Sequence, residues 1–334
     1  GSTNTITGLL DAWQDNTPVI FISGQIKRKE TSRNSKTNLR QFGVQEADII
    51  SIVEPITKYA VMVNEPEKIL YHLEKAVHLA LSGRPGPVWI DIPLDVQGFS
   101  PDEKDLIHFI PEEKSINGIC GMDKFFEMYQ QAKRPIILAG NGVRLSGAVE
   151  DLREFSKSNN IPCVVSYLAV DYFEQDNLNY VGRLGIKGDR AGNFAIQNSD
   201  LIICLGSRLS VALTGFEYEL FGRESKLVVI DIDKDEHEKN TVKIDHFIKA
   251  DVKEFLKIIA DKVQKKEQCE WQEKCIHWKN KWPVSQDNYD TDTVNMYEFT
   301  KALSELANDN AIVVSDAGSS YYVTSQSLTF KSIK

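Results

Sequence analysis

The chain has 334 residues, is 42% hydrophobic and 26% charged, and carries a formal net charge of −9. That length exceeds one ordinary core and predicts two or three domains. The acidic balance excludes nucleic acid as a main partner, since that would need a basic face, and no run reaches the ~18 apolar residues of a membrane span.

The expected partner is therefore a small-molecule substrate, with no nucleic acid and no membrane. No basic-then-apolar leader is present. The five cysteines, Cys120, Cys163, Cys204, Cys269 and Cys275, are scattered, which fits a reducing, cytoplasmic setting. Cys163 and Cys204 lie inside apolar runs, where a free thiol behaves as a small hydrophobe. Cys269 and Cys275 match no common zinc spacing, and no metal site is read.

In chain order, Pro18–Ser23 is a short apolar run closed by Gly24 and predicts a buried strand. Glu67–Leu81 places Ile69, Leu70, Leu73, Val77, Ala80 and Leu81 on one helical stripe. Pro87–Pro93 is the next strand, bracketed by prolines that a mid-sheet position excludes. Gly98–Gly118, with Pro101, Pro111 and many charges, reads as an interdomain linker.

A second series then begins. Strands are predicted at Pro135–Ala139, Pro162–Ser166, Leu201–Leu205 and Leu227–Asp231, with helices at Gly147–Ser158, Ala191–Asn198 and Val252–Val263. Short continuous Val/Ile/Leu runs separated by helices signify an α/β fold: a doubly wound parallel sheet covered on both faces. Lys265–Pro283 predicts a charged surface helix docked by Trp271, Trp278 and Trp282. Val294–Leu306 is a helix with Met296, Phe299, Leu303 and Leu306 on one face, and Asn310–Ser315 a strand ending in Asp316-Ala317-Gly318. Both ends look cut: the chain opens at Gly1 without an initiating Met, and Phe330–Lys334 carries no stop signal.

Ligands of an open parallel sheet bind where strands end and helices begin, because helix N-termini offer unpaired N–H groups. Three glycine-bearing turns occupy such places: Gly140-Asn141-Gly142, the stretch Gly182–Gly188 containing Leu184 and Gly185, and Gly206-Ser207-Arg208. None is a full G-x-G-x-x-G, so dehydrogenase chemistry is not supported. Asp231 and Asp233 end a strand where an acid commonly receives a ribose hydroxyl; an acidic helix cap is the equal alternative. Arg84, in the rigid turn Gly83–Pro87, is either an anion-facing guanidinium or an ordinary surface arginine. Six histidines (His72, His78, His108, His237, His246, His277) are scattered and form no triad. An NAD-consuming hydrolase would need a histidine near Gly182–Gly188, and none lies there in sequence. A non-catalytic module holding FAD or ADP stays open beside an enzyme.

Gly1–Trp13 followed by Pro18–Gln25 resembles the first domain of acetolactate-synthase-type thiamine-diphosphate enzymes. Val44-Gln45-Glu46, Pro55–Lys58, Gly83–Pro93, Lys133–Pro135, Gly182–Asn193, Asp200–Gly215 and Val229–Asp233 continue the resemblance in family order. It implies the later part of a pyrimidine-binding domain over residues 1–100, a linker over 101–115, and a central nucleotide-binding-like domain over 116–265. A linker helix over 266–295 and the start of a diphosphate-binding domain over 296–334 follow. It implies a thiamine diphosphate and Mg²⁺ enzyme acting on a 2-oxo acid or ketone by decarboxylation, C–C cleavage or carboligation. A homodimer or homotetramer is implied for the whole enzyme. The family's catalytic glutamate and its Gly-Asp-Gly…Asn metal motif would lie outside this chain, which is expected to be inactive alone.

Carried over position by position, Gln25 and Gln45 match active-cleft residues. Asn4, Asp316 and Gly318 fall in cofactor-side motifs. Arg84, Gly140, Gly142, Leu184, Gly185, Gly188, Ser207, Arg208, Asp231, Asp233 and Asp251 match positions lining a flavin site, where FAD or ADP would sit. Val44, Leu94 and Ser210-Val211-Ala212 depart from the synthase pattern, which points towards a related decarboxylase, lyase or carboligase on another 2-oxo acid.

Overall fold

The computed structural model describes residues 1–112, 118–263, 269–285, 292–308 and 310–329. The chain divides into two units, Gly1–Ile116 and Asn117–Lys334.

The first unit contains α1 (Ile6–Asp15), β1 (Ile20–Gln25), α2 (Ile49–Val53), β2 (Tyr59–Met62), α3 (Ile69–Leu81), β3 (Val88–Pro93) and α4 (Leu94–Gln97). Its strands are parallel in the order β1-β3-β2, with Ser23 opposite Asp91. β3 is central, so Val88, Trp89 and Ile90 are all buried, whereas β1 lies at the edge and alternates. Ala76 and Ala80 of α3 are buried with Val63, Val88 and Ile90, and Ile69 and Leu73 pack against them, but Val77 and Leu81 of the predicted stripe are exposed. The predicted linker is held down at its start. Ile107 N–H donates to the Glu67 carbonyl (3.2 Å), Phe109 N–H to the Glu74 carboxylate (2.8 Å), and the Phe109 ring meets Tyr71 edge-on. Charge and proline content alone hid these contacts.

The second unit runs through α5 (Met122–Gln131), β4 (Pro135–Ala139), α6 (Gly142–Leu145), α7 (Val149–Asn159), β5 (Cys163–Val165), β6 (Tyr180–Arg183) and α8 (Arg190–Asn198). It continues with β7 (Leu201–Leu205), α9 (Val211–Thr214), β8 (Lys226–Asp231), β9 (His246–Lys249), α10 (Val252–Ala260), α11 (Cys269–Lys281), α12 (Met296–Leu306) and α13 (Ser319–Ser327). Six parallel strands take the order β6-β5-β4-β7-β8-β9. Phe125, Leu152 and Phe255 anchor the core on one face, and Ile196, Trp271 and Cys275 that on the other. The doubly wound reading therefore holds. The chain winds outward from β4 in one direction and from β7 in the other, so the topological switch point lies between them.

Several predictions of detail give way. The helix expected over Gly147–Ser158 begins at Val149, because Gly147 takes φ 66° and closes α6. Gly182 stands inside β6 rather than in a loop. Asn310–Ser315 is not a strand: a strand needs a hydrogen-bonding neighbour, none is present among the described residues, and Ile312 and Val314 are exposed. The stripe of α12 is also turned outward, with Phe299 and Leu306 exposed while Thr300 and Ser304 are buried. Trp271 is more than a surface anchor, since its Nε1–H donates to the Pro135 carbonyl at the start of β4 (3.0 Å).

Candidate functional site

At the switch point, the turns after β4 and β7 close on each other. Gly140 N–H donates to the Leu205 carbonyl and Gly142 N–H to that of Gly206, both at 2.9 Å. A Cβ on Gly140 would lie 2.3 Å from the Gly206 oxygen, and one on Gly142 2.6 Å from the Gly206 Cα. These glycines are required by turn-on-turn packing. Beyond them Ser207 is buried and Arg208 exposed, its carbonyl taken by the Lys239 ammonium. Leu209 follows at φ 49° with its side chain in the core. A left-handed leucine costs about 1–2 kcal/mol and persists only where packing over-determines it.

The loop after β6 is equally constrained. Leu184 is buried, and the Asn193 side chain donates to and accepts from Gly185 (3.1 Å each). Gly188 N–H returns to the Gly185 carbonyl (2.9 Å). At the end of β8, Asp231 Oδ1 accepts from Asp233 N–H (3.0 Å), and Asp233 accepts from Asp235 N–H (3.1 Å). Asp251 caps α10, accepting from Lys253 and Glu254 N–H at 2.8 and 3.4 Å. For Asp251 the structure shows the capping role.

Two features escaped sequence reasoning. Arg183 and Asp189 form a buried ion pair (2.6 Å) bracketing the glycine loop, and their opposite charges six residues apart were the available signal. His237, on the short turn after β8, is buried with its Nε2 3.4 Å from Asp231 Oδ2, and neither ring nitrogen makes a hydrogen bond. Nothing in a lone sequence marks that burial.

In the first unit, the C-terminal edge of the sheet carries a polar network. Ser23 Oγ donates to Asp91 Oδ1 (2.6 Å) and accepts from Trp89 Nε1–H (2.8 Å). The Gln25 amide donates to Asp91 Oδ2 (3.1 Å) and the Ala47 carbonyl (2.9 Å), and its oxygen accepts Ile26 N–H (3.0 Å). Burial pushes the Asp91 carboxyl above the usual range, opposed in part by the Ser23 and Gln25 hydrogen bonds. Glu46 behaves oppositely. Burial favours its neutral form, but Ser32 Oγ–H (2.5 Å) and the N–H groups of Phe42, Ser32 and Gly43 outweigh that and hold its carboxyl below the ordinary value. With Glu46 pinned inward, Gln45 is exposed at φ 59°, its amide without a partner among the described residues. Val44 and Leu94 are exposed as well.

Arg84 Nε–H donates to Asn16 Oδ1 at the left-handed end of α1, so it anchors that helix. Asn4 is exposed in the first turn of the chain. Asp316 is exposed, accepts Ala317 N–H (2.7 Å), and precedes Gly318 at the N-terminus of α13. Among the described residues no cluster of three metal-ligating side chains occurs, and no helix is long and apolar enough to cross a membrane.

The family model described as thiamine pyrophosphate enzyme, N-terminal TPP binding domain, matches residues 1–51, and that described as thiamine pyrophosphate enzyme, central domain, matches residues 122–259. The chain belongs to the thiamine pyrophosphate enzymes. It is 32% identical to the probable acetolactate synthase large subunit of Methanocaldococcus jannaschii, over 95% of this chain and 54% of that protein. It is 30% identical to the acetolactate synthase large subunit of Corynebacterium glutamicum, over 99% and 53%. With isozyme 2 of the Escherichia coli large subunit it shares 29%, over 95% and 55%. The chain thus spans about half the length of the curated relatives it matches. The resemblance to the thiamine-diphosphate family read from Gly1–Gln25 onward is borne out.

Proposed function

We propose that this chain is part of a thiamine-diphosphate-dependent, acetolactate-synthase-like enzyme that acts on a 2-oxo acid or ketone by decarboxylation, C–C cleavage or carboligation. The observation that carries this is the pair of family matches, one on each structural unit and in family order. We assign residues 1–100 to the pyrimidine side, 101–115 to a linker, 116–265 to the central domain, 266–295 to a connecting helix and 296–334 to the start of the diphosphate side. When bound with Mg²⁺, thiamine diphosphate supplies the carbanion chemistry next to the substrate carbonyl.

The first unit's residues divide the work. Gln45, exposed with an uncommitted amide, is placed to hydrogen-bond substrate or cofactor. Gln25 has every amide group engaged and positions the edge through Asp91 and Ala47. Asn4 and the Asp316–Gly318 turn are assigned to cofactor-side contacts. The complete enzyme would be a cytoplasmic homodimer or homotetramer. Cofactor-dependent CO₂ release from pyruvate, 2-oxobutyrate or 2-oxoglutarate by the complete enzyme tests the proposal. No cofactor-dependent release from any of the three overturns it.

A second reading concerns the central domain, where FAD or ADP would occupy the switch-point crevice against Ser207, Arg208 and Asp231. The strand order and the left-handed Leu209 beside an exposed Arg208 favour it. Calorimetry of the 334-residue chain against FAD and ADP decides, and absence of heat with both leaves the crevice architectural.

A further inference from the structure

The segment Ile26–Gly43 leaves the sheet edge at Gln25, and the chain meets that residue again at Ala47, whose carbonyl accepts from the Gln25 amide. The segment carries Lys27, Arg28, Lys29, Arg33, Lys36 and Arg40 against a single acid, Glu30, in a chain whose net charge is −9. Such a reversal of sign would be a solvated loop if it hung free, but it is anchored at several points. Arg28 pairs with Asp95 (2.8 Å) and its N–H donates to the same carboxylate (3.0 Å). Arg33 pairs with Asp48 (3.0 Å). Asn34 Nδ2 donates to Asn64 Oδ1 (2.9 Å) and to the Arg28 carbonyl (3.1 Å). At the far end, Glu46 accepts from Ser32, Phe42 and Gly43.

Two of the six cations are thereby neutralised and serve as anchors. Lys27, Lys29, Lys36 and Arg40 are exposed and have no acidic partner among the described residues. They stand on a pinned loop at the C-terminal edge of a parallel sheet, where ligands of such sheets bind. Fixed like charges over a cleft edge concentrate counter-charged substrates and raise their association rate about 10–1,000-fold.

We infer that this loop selects a substrate bearing an anionic group, a carboxylate or a phosphate, beyond the carboxylate common to all 2-oxo acids. The inference rests on the thiamine-dependent activity proposed above, and it names Lys27, Lys29, Lys36 and Arg40 as specificity-determining residues. It is tested in the complete holoenzyme by kcat/KM for pyruvate against 2-oxoglutarate as donor, and for acetaldehyde against glyceraldehyde 3-phosphate as acceptor. In the variant Lys27→Gln/Lys29→Gln/Lys36→Gln/Arg40→Gln, the ratio of 2-oxoglutarate to pyruvate, or of phosphorylated to unphosphorylated acceptor, falls about tenfold or more, the order expected of electrostatic steering. A fall confined to 2-oxoglutarate assigns a second carboxylate, and one confined to the phosphorylated acceptor assigns a phosphate. Raising salt from about 20 mM to about 300 mM lowers these ratios in the wild type and not in the variant. The single variant Arg40→Gln, with a smaller shift of the same sign, covers the case in which the quadruple variant misfolds. Unchanged ratios in both arms, or an equal fall for both members of each probe pair, overturn the inference. Failure of the underlying activity is distinguishable, because the wild type then turns over none of the probes.

Discussion

Arg183 and Asp189 offer the sharpest stability test. The Arg183 side chain is 1% exposed and that of Asp189 10%. Asp189 accepts from Arg183 Nη2–H at 2.6 Å and from its backbone N–H at 2.8 Å, and Nη1–H reaches Ser325 Oγ of α13 at 3.0 Å. Asp189→Ala strands a buried guanidinium, and removing one member of a buried pair costs about 3–5 kcal/mol. Removing both in Arg183→Met/Asp189→Ala eliminates the charge and leaves only the Arg183 N–H and Ser325 hydroxyl to be satisfied. That double variant is expected to lose about 1–3 kcal/mol, the range for unsatisfied neutral groups. It should therefore be more stable than Asp189→Ala alone. Urea denaturation of Asp189→Ala, Arg183→Met and the double variant, followed through the fluorescence of Trp271 and Trp278 in the same unit, gives the comparison. Losses in the double variant equal to the sum of the two single losses would refute the reasoning, because uncoupled residues add.

The Glu46 anchor predicts a pH signature. Its folded carboxyl lies below the unfolded value of 4.5, so its contribution is present above pH 4.5 and lost as pH falls through the folded value. Glu46→Gln should cost about 1–3 kcal/mol at neutral pH and flatten that acid limb in thermal melts. Lys279 runs the other way along the scale: burial lowers it from 10.5 to about 8, so its neutral form favours folding and stability rises between pH 8 and 10.5. The difference between wild type and Lys279→Met in urea midpoint should grow over that interval, and a constant difference would exclude Lys279 as its source. At the switch point, Gly206→Ala puts a Cβ 2.6 Å from the Gly142 Cα at φ 55°. Gly147→Ala at φ 66° meets nothing nearer than Lys253 Nζ at 3.7 Å. The second should cost only the left-handed penalty of about 1–2 kcal/mol and the first distinctly more, as read by melting temperature.

Much of the architecture was legible because continuous apolar runs report strands buried on both faces. Pro135–Ala139, Leu201–Leu205 and Lys226–Asp231 need no partner to be recognised. Short or half-buried strands such as Tyr59–Met62 and His246–Lys249 show too little pattern. The candidate site was legible as places and not as roles. Gly140, Gly142 and Gly206 were found at strand ends, yet that they serve each other's packing appears only when β4 and β7 lie side by side. Asp233 was read as an acid ending a strand and Asp251 through the family resemblance alone, and only the fold shows Asp251 accepting from the first N–H groups of α10.

The sequence alone therefore determined the α/β class, the strands buried on both faces and the thiamine-enzyme family, because periodicity and ordered motifs are properties of the chain taken locally. Tertiary structure decided which residues are committed. Gln25 and Gln45 look alike in sequence, but one amide is engaged by Asp91 and Ala47 and the other, lifted by a left-handed backbone beside buried Glu46, faces outward. Hydrogen-bond commitment depends on neighbours distant along the chain, and only folding brings Asp91 within reach of Gln25.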